Sequence, residues 1–180
     1  MKRQQGKVET LTKPQAFTVK LLNNSPEITT DRQGLLTAQM RAGELYRKVQ
    51  GAHKTWGELN SRVEHLTKAI MVTVNSTEEQ AQQVRTIDLG LKATSTILSG
   101  DKTISSRQEP VPWSVSGRTS AVYNALVDSQ FRASGNHLSS LAIAESEYQR
   151  VADGLQKARK ALQDLERQME DIKAPWTPAR

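Results

Sequence analysis

Histidine, serine and carboxylate side chains are the groups through which this chain could do chemistry, since it contains no cysteine. A metal site on a helix needs two ligands at i,i+4 spacing, or a carboxylate on the same face as a histidine. His53 and His65 are twelve residues apart, and each stands beside an apolar position. The pattern predicts partly buried or flanking histidines there, and a turn at His137.

Two short strings share letters with catalytic motifs. Residues 100–103, GDKT, look like the end of a phosphate-binding loop, but Asp101 separates the glycine from the lysine, and the preceding pattern is helical. Residues 114–117, SVSG, lack the first glycine and the preceding strand of a nucleophile elbow. We interpret the first string as a helix end followed by a turn, and we assign no serine nucleophile to the second.

The remaining candidates are acid pairs and tryptophans. By spacing, the acid pairs are helix-end or surface groups facing solvent: Glu78 and Glu79, Glu145 and Glu147, Glu170 and Asp171. Trp56 is expected in the core, whereas Trp113 and Trp176 follow prolines and are expected to plug the ends of a bundle. The sequence therefore assigns no catalytic, cofactor-binding or metal-ligating residue, and no cofactor.

Composition and charge limit the classes of protein to which this chain can belong. The chain has 180 residues, 36% of them hydrophobic, 4% aromatic and 24% charged, which is typical of long helices with a narrow buried stripe. The net charge of +6 lies mostly in residues 1–20, where five basic residues oppose Glu9, and no basic face is indicated on the body. No apolar run approaches the length of a membrane span, and the first residues do not resemble a signal peptide, so a soluble chain without an export signal is expected.

The first long helix is predicted from residue 35 by apolar residues that recur in a strict 3-4 pattern. These are Leu35, Ala38, Ala42, Leu45, Val49, Ala52, Trp56, Leu59, Val63, Leu66 and Ile70. A heptad stripe of this kind predicts coiled-coil-like packing over about 60 Å. Four glycines lie in or beside this stretch (Gly34, Gly43, Gly51 and Gly57), and they indicate close helix approach or a bend near Gly51.

Three further helices are predicted. The second begins at the capping box of Thr77 and Gln80, follows Ala81, Val84, Ile87, Leu91, Thr94 and Leu98, and ends at Gly100. A loop over residues 101–113 is expected to travel back along or across the bundle. The third helix covers about residues 114–131, with Val115, Thr119, Val122 and Leu126 on one face, and is closed by residues 134–136. The fourth follows Leu141, Ala144, Tyr148, Val151, Leu155, Ala158, Leu162, Leu165, Met169 and Ile172, and stops at Pro175.

The expected fold is mainly α, an elongated antiparallel four-helix bundle with two long heptad helices. A short N-terminal β-hairpin remnant is predicted from extended pieces at residues 8–11 and 16–21. The domain boundaries are 1–29 for the hairpin and linker and 30–180 for the bundle, which begins at an N-cap offered by residues 29–31.

Five strings, in this order along the chain, resemble a known group of proteins: PQAFTV at 14–19, LSGDKT at 98–103, RQEP at 107–110, LAIAE at 141–145 and APWTP at 174–178. They are similar to the C-terminal helical region of bacterial exported proteins with a sortilin-like or BNR-repeat, glycosyl hydrolase-type β-propeller. The resemblance implies a periplasmic or extracellular protein in which the propeller carries any ligand or catalytic site. It transfers no site residue to this chain.

The expected function is a non-catalytic helical spacer or interaction module, appended to a larger exported β-propeller protein. Its expected partner is a protein, either its own propeller or another subunit, and a homodimer stays open; no membrane span is expected, and nucleic acid is not the favoured partner. Two alternatives remain at this point. The basic N-terminal segment could bind nucleic acid or another anionic surface, or the chain could be an accessory part of a glycan-directed hydrolase.

Overall fold

The structure, a computed structural model, describes residues 2–4, 7–9, 12–20 and 28–175, and within them the chain is mainly helical. The helices are α1 (Arg32–Val72), α2 (Glu78–Ser99), α3 (Lys102–Ser105), α4 (Val115–Leu126) and α5 (Gly135–Asp171). Two strands, β1 (Lys2–Gln4) and β2 (Lys7–Glu9), pair in antiparallel fashion near the N-terminus.

Local capping signals set where the helices begin and end. Asp31 caps α1, because its Oδ1 accepts a hydrogen bond from the Gly34 amide at 2.9 Å. The predicted capping box is formed: the Gln80 amide donates to Thr77 Oγ1, and the Thr77 amide donates to Gln80 Oε1. Gly100 ends α2 with a φ of 88°, a left-handed conformation that favours glycine, as the sequence predicted.

The buried residues of the helices follow the apolar stripes seen in the sequence. In α1 every predicted position is buried except Trp56, which is half-buried. Of the stripe predicted for the last helix, only Tyr148 and Ile172, the residue that follows α5, are half-buried rather than buried. All four predicted positions of α4 are buried. One hydrophobic core includes residues of α1, α2, α4 and α5, and it runs along the length of the rod.

The antiparallel four-helix arrangement was a wrong prediction, because α2 and α4 follow one another along the same side of α1. Trp56 of α1 contacts Leu91 of α2, whereas His53 contacts Ser116 of α4, and Gln39 contacts Leu126 at the end of α4. The described helices therefore form three columns, α1, α2 followed by α4, and α5.

The loop between α2 and α4 explains this succession. A Cβ built on Gly100, at the end of α2, would lie 3.7 Å from Cβ of Ser114, which caps α4. Residues 101–113, including the single turn α3, therefore leave the rod and return close to their starting point. The expectation that this loop travels back along or across the bundle was wrong, and α4 continues in the direction of α2.

The two long helices run parallel to each other. Arg41 of α1 pairs with Glu145 of α5, and Arg62 pairs with Glu166, so that residue numbers rise together along both helices. This direction follows from the three columns, because α1 runs up, α2 and α4 run down, and α5 runs up again. The other columns meet in antiparallel fashion, as Trp56 with Leu91 illustrates.

Several finer predictions were also wrong. Residues 12–20 contain no strand and are exposed, so the expected pairing of pieces 8–11 and 16–21 is not found; Thr10, Leu11 and Leu21 lie outside the described residues. Ser134 does not close the third helix, which ends at Leu126, but caps α5 by accepting from the His137 amide.

The glycines of α1 do not mark close helix contacts. A Cβ built on Gly51 or Gly57 would meet nothing within 4 Å, whereas one on Gly43 would lie 3.8 Å from the Tyr123 ring. The close approach occurs instead at Gly154 of α5, where a Cβ would lie 2.5 Å from Thr94 Oγ1 of α2. The prediction of close helix approach at the α1 glycines was therefore wrong, and the sequence did not single out Gly154.

In the part of the chain that the structure describes, none of the helices is both long and apolar enough to span a bilayer.

Candidate interaction site

The three histidines lie far apart in the structure. His65 is exposed on α1, and His137 lies in the first turn of α5 rather than in a separate turn. His53 is half-buried, and its Nε2 lies 3.2 Å from Ser116 Oγ of α4. Among the described residues there is no group of three or more metal-ligating side chains.

The pairing of His53 with Ser116 was missed in the sequence, because the two residues lie 63 positions apart. A nucleophilic serine needs such a base, a group that orients the base, and donors for an oxyanion. In the described residues the only hydrogen bond recorded for the His53 ring is the one to Ser116. The pair joins α1 to the first turn of α4, and we assign it that structural role.

The tryptophans and the GDKT string are placed as follows. Trp56 is half-buried between α1 and α2, and its Nε1 donates to the Leu91 carbonyl at 3.0 Å. Trp113 is exposed, so its predicted role as a plug was wrong, and Trp176 lies outside the described residues. Asp101 Oδ1 accepts from the Thr103 amide at 2.8 Å and caps α3, which confirms the helix end and turn proposed for this string.

The carboxylates expected in solvent are partly engaged between helices. Glu145 accepts two hydrogen bonds from the Arg41 guanidinium, and Glu147 is half-buried. Glu166, which the sequence did not single out, accepts two hydrogen bonds from Arg62 at 2.8 and 2.5 Å. This pair joins α1 to α5.

Charge pairing also shifts the titration of three groups. The hydrogen bond from Lys48 lowers the pKa of Glu44 below its ordinary value, and the same bond raises the pKa of Lys48. The hydrogen bond to Glu145 raises the pKa of Arg41. In each case the partner stabilises the charged form of the group, as expected for ion pairs on the surface of a helix.

A first groove lies between α1 and α2, close to the turn that joins them, and has a volume of about 750 Å³. Its apolar lining comes from Val63, Ile70 and Met71 of α1 with Ala81 and Val84 of α2. Five charged side chains of both signs also line it, namely Glu64, Lys68, Glu78, Arg85 and Asp88. The adjoining turn presents apolar side chains to solvent, since Met71 is 78% exposed and Val74 is 97% exposed.

A second groove, of about 650 Å³, lies between the parallel helices α1 and α5. Small side chains on both helices leave this space, because Gly51 and Ala52 line it from α1 and Ala152 lines it from α5. Its charged lining is Lys48, Arg159 and Lys160. Tyr148, also in the lining, donates its hydroxyl to the Lys48 carbonyl at 3.4 Å.

The charged residues in the lining of this second groove are all basic, although the sequence indicated no basic face on the body. Residues 44–58 of α1 and 148–163 of α5 together hold seven basic and three acidic residues. Of the seven acids of α5, four lie after this stretch, at residues 164–171, and Glu145 and Glu147 lie just before it. The parallel alignment of α1 and α5 brings two basic stretches together that lie about a hundred residues apart in sequence.

Comparison of the chain with models of protein families, with curated proteins and with solved structures found no match. The candidate surfaces therefore rest on the geometry of this chain alone.

Proposed function

We propose that the chain is a non-catalytic helical interaction module, a rod that holds a partner protein at the end where α1 turns into α2. The observation that carries this proposal is the apolar groove between α1 and α2 beside the exposed side chains of Met71, Val72 and Val74. Apolar side chains grouped at one exposed turn, next to a groove, are a common feature of protein interaction sites.

The rest of the rod suits a spacer. Its core continues from Leu35 near the start of α1 to Met169 near the end of α5. The 41 residues of α1 span about 60 Å at 1.5 Å per residue. A continuous core of this length keeps the two ends of the rod at a fixed distance, and coiled-coil-like packing along the stripes would add stiffness.

The resemblance to propeller-associated helical regions suggests where such a rod would work. We extend the proposal to a rod attached to a β-propeller in an exported protein, with the propeller or another subunit as its partner. Support comes from the five sequence strings alone. Reading the coding sequence upstream of Met1 tests this part, and an unrelated domain there, or none, would reject it.

Site-specific crosslinking in the cells that produce the protein tests the docking end. A photoreactive amino acid at Met71, in the groove, should give one adduct of defined mass, and the same amino acid at Gln33, exposed at the other end of α1, should give none. Mass spectrometry of the adduct then tells a propeller from another subunit or a second copy. Equal adducts at both positions, or none at Met71, would reject the proposal.

A paired substitution tests whether the apolar side chains themselves bind. Met71→Asp with Val74→Asp should abolish the adduct at a crosslinker placed on Gln82, which lines the same groove, while the helical circular dichroism stays unchanged. The helices should tolerate these changes because both side chains are largely exposed. An adduct that persists with this variant would show that the apolar surface is not the docking site.

The alternative of anionic-surface binding by the N-terminal segment has one observation in its favour. Lys13 and Lys20 lie in residues 12–20, which are exposed throughout. Deleting residues 1–20 should then remove binding to single-stranded RNA or to anionic vesicles, and binding by the intact chain should fall steeply with salt. Binding that survives the deletion would reject this alternative. The accessory role in a glycan-directed hydrolase stays a prediction.

A further inference from the structure

The groove between α1 and α5 differs from the docking end because it has one sign of charge. Its charged lining residues are Lys48, Arg159 and Lys160. Lys48 is paired with Glu44 on its own helix at 2.7 Å. Among the described residues, Arg159 and Lys160 have no carboxylate at ion-pair distance, so their charges are available to a partner.

The shape of this groove is set by small residues on both helices. Gly51 faces open space, and Ala52 and Ala152 add only methyl groups to the lining. On α5 the groove extends from Tyr148 to Gln163, which is about 22 Å or four helical turns. A partner backbone can therefore approach the rod closely over this length.

We propose that the groove between α1 and α5 binds an acidic amphipathic helix of a partner protein, which lies along the rod as a fourth column beside the three of this chain. Apolar side chains of that helix contact Ala52, Ala152 and Leu155, and its flanking carboxylates pair with Arg159 and Lys160. Charge complementarity selects the partner, since the groove lining has three basic residues and, among the described residues, no acidic one.

A helix suits this groove better than an extended peptide or a nucleic acid. The walls are helices whose backbone groups are already paired, so an extended segment would find no strand edge to bind, whereas a helix satisfies its own backbone. Bases need aromatic surfaces on which to stack. The one aromatic residue in the lining, Tyr148, has its hydroxyl bonded to the Lys48 carbonyl.

This inference does not depend on the docking end proposed above. The docking end lies between α1 and α2, whereas this groove lies between α1 and α5. The probe is a fluorescent peptide of about 15 residues, the length of the groove, with leucine and alanine on one helical face and glutamate beside it. A second peptide has lysine in place of every glutamate. We expect the acidic peptide to bind the intact chain about tenfold more tightly than the basic one, as measured by fluorescence anisotropy.

Two glycine variants locate the binding. Gly51→Leu places a side chain in the groove, and Gly57→Leu is the matched control, because both glycines lie in α1, are exposed and face open space. Gly51→Leu should weaken binding of the acidic peptide by about tenfold or more, since the added side chain occupies the space of the partner helix. Gly57→Leu should leave it unchanged, and both variants should remain helical by circular dichroism.

A charge-reversal variant tests the selection by charge. Arg159→Glu with Lys160→Glu should invert the preference, so that the basic peptide binds more tightly than the acidic one. Equal binding of the two peptides to the intact chain, equal effects of the two glycine variants, or an unchanged preference in the charge-reversal variant would each overturn the proposal. Single-stranded RNA of similar length is tested in the same way. If it binds more tightly than the acidic peptide and loses that binding in the Gly51→Leu variant, the result would assign the groove to nucleic acid.

Discussion

Helix α5 meets α2 and α1 in opposite ways. Towards α2 the contact is closed, because a Cβ on Gly154 would lie 2.5 Å from Thr94 Oγ1. Towards α1 a groove stays open, and a Cβ on Gly51 would meet nothing within 4 Å. Gly154 therefore allows α5 to pack tightly against α2, whereas Gly51 of α1 leaves a groove open between α1 and α5.

The largest effect is expected from filling the closed contact. Gly154→Leu should lower the free energy of unfolding by about 3 kcal/mol, because the new side chain must displace Thr94 or separate α2 from α5. Urea denaturation followed by circular dichroism measures the change. Adding Thr94→Ala should restore part of the loss, and Gly51→Leu at the open groove should cause no comparable loss. Equal destabilisation by both leucine variants would contradict the comparison.

The next effect separates the two ion pairs between α1 and α5. The Arg62–Glu166 side chains are 21% and 12% exposed, against 44% and 38% for Arg41–Glu145. Glu166→Gln should therefore destabilise the fold by about 1–2 kcal/mol, whereas Glu145→Gln should change stability by about 0.5 kcal/mol or less, since solvent screens an exposed pair. The urea midpoints of the two variants measure these losses. A larger loss for Glu145→Gln than for Glu166→Gln would contradict the prediction.

A smaller and opposite effect is expected at the open groove. Gly51→Ala should stabilise the protein by about 0.5–1 kcal/mol, because alanine has the higher helix propensity and its methyl group meets open space. Gly57→Ala, in the same helix and equally open, should give a similar gain in thermal unfolding experiments. A loss of stability at Gly51 alone would show that the groove is narrower than the structure indicates.

The smallest effect concerns the Glu44–Lys48 pair beside the groove. The Glu44 pKa is lowered, so the contribution of the pair is present above the ordinary carboxyl value of 4.5 and is lost as the pH falls through the lower folded value. The Lys48 pKa is raised, so the contribution is also lost as the pH rises through the folded value above 10.5. Lys48→Met should therefore raise the Glu44 pKa in a side-chain NMR titration.

A matched variant controls this titration. Lys54→Met removes another exposed lysine from the same helix and should leave the Glu44 pKa unchanged. A Glu44 pKa that moves equally in both variants would attribute the shift to the general positive charge of the region instead of to Lys48.

Comparing the two sides of α5 also shows where sequence reasoning worked. The apolar stripes predicted nearly every buried position of α1 and α5, and Thr77, Gln80 and Gly100 act as the sequence indicated. These features depend on residues within one or two helical turns of each other. Local backbone geometry sets their spacing, so a sequence pattern is sufficient to find them.

The candidate surfaces could not be found in this way. The stripe of α1 does not say which helix covers it, and heptad spacing is compatible with three columns or four, parallel or antiparallel. The positions of Arg159 and Lys160 gave no sign that they share a groove with Lys48, and Gly154 was not noticed because a single glycine in a helical pattern has no preferred meaning.

The sequence by itself determined the helices, their buried faces and most of their ends, because these follow from periodicity and capping over a few residues. Only the tertiary structure decided that residues 101–113 return to their starting point, so that α2 and α4 share one column and α5 runs parallel to α1. That direction depends on contacts between residues about a hundred positions apart. It also explains why Lys48 of α1 and Arg159 and Lys160 of α5 line the same groove.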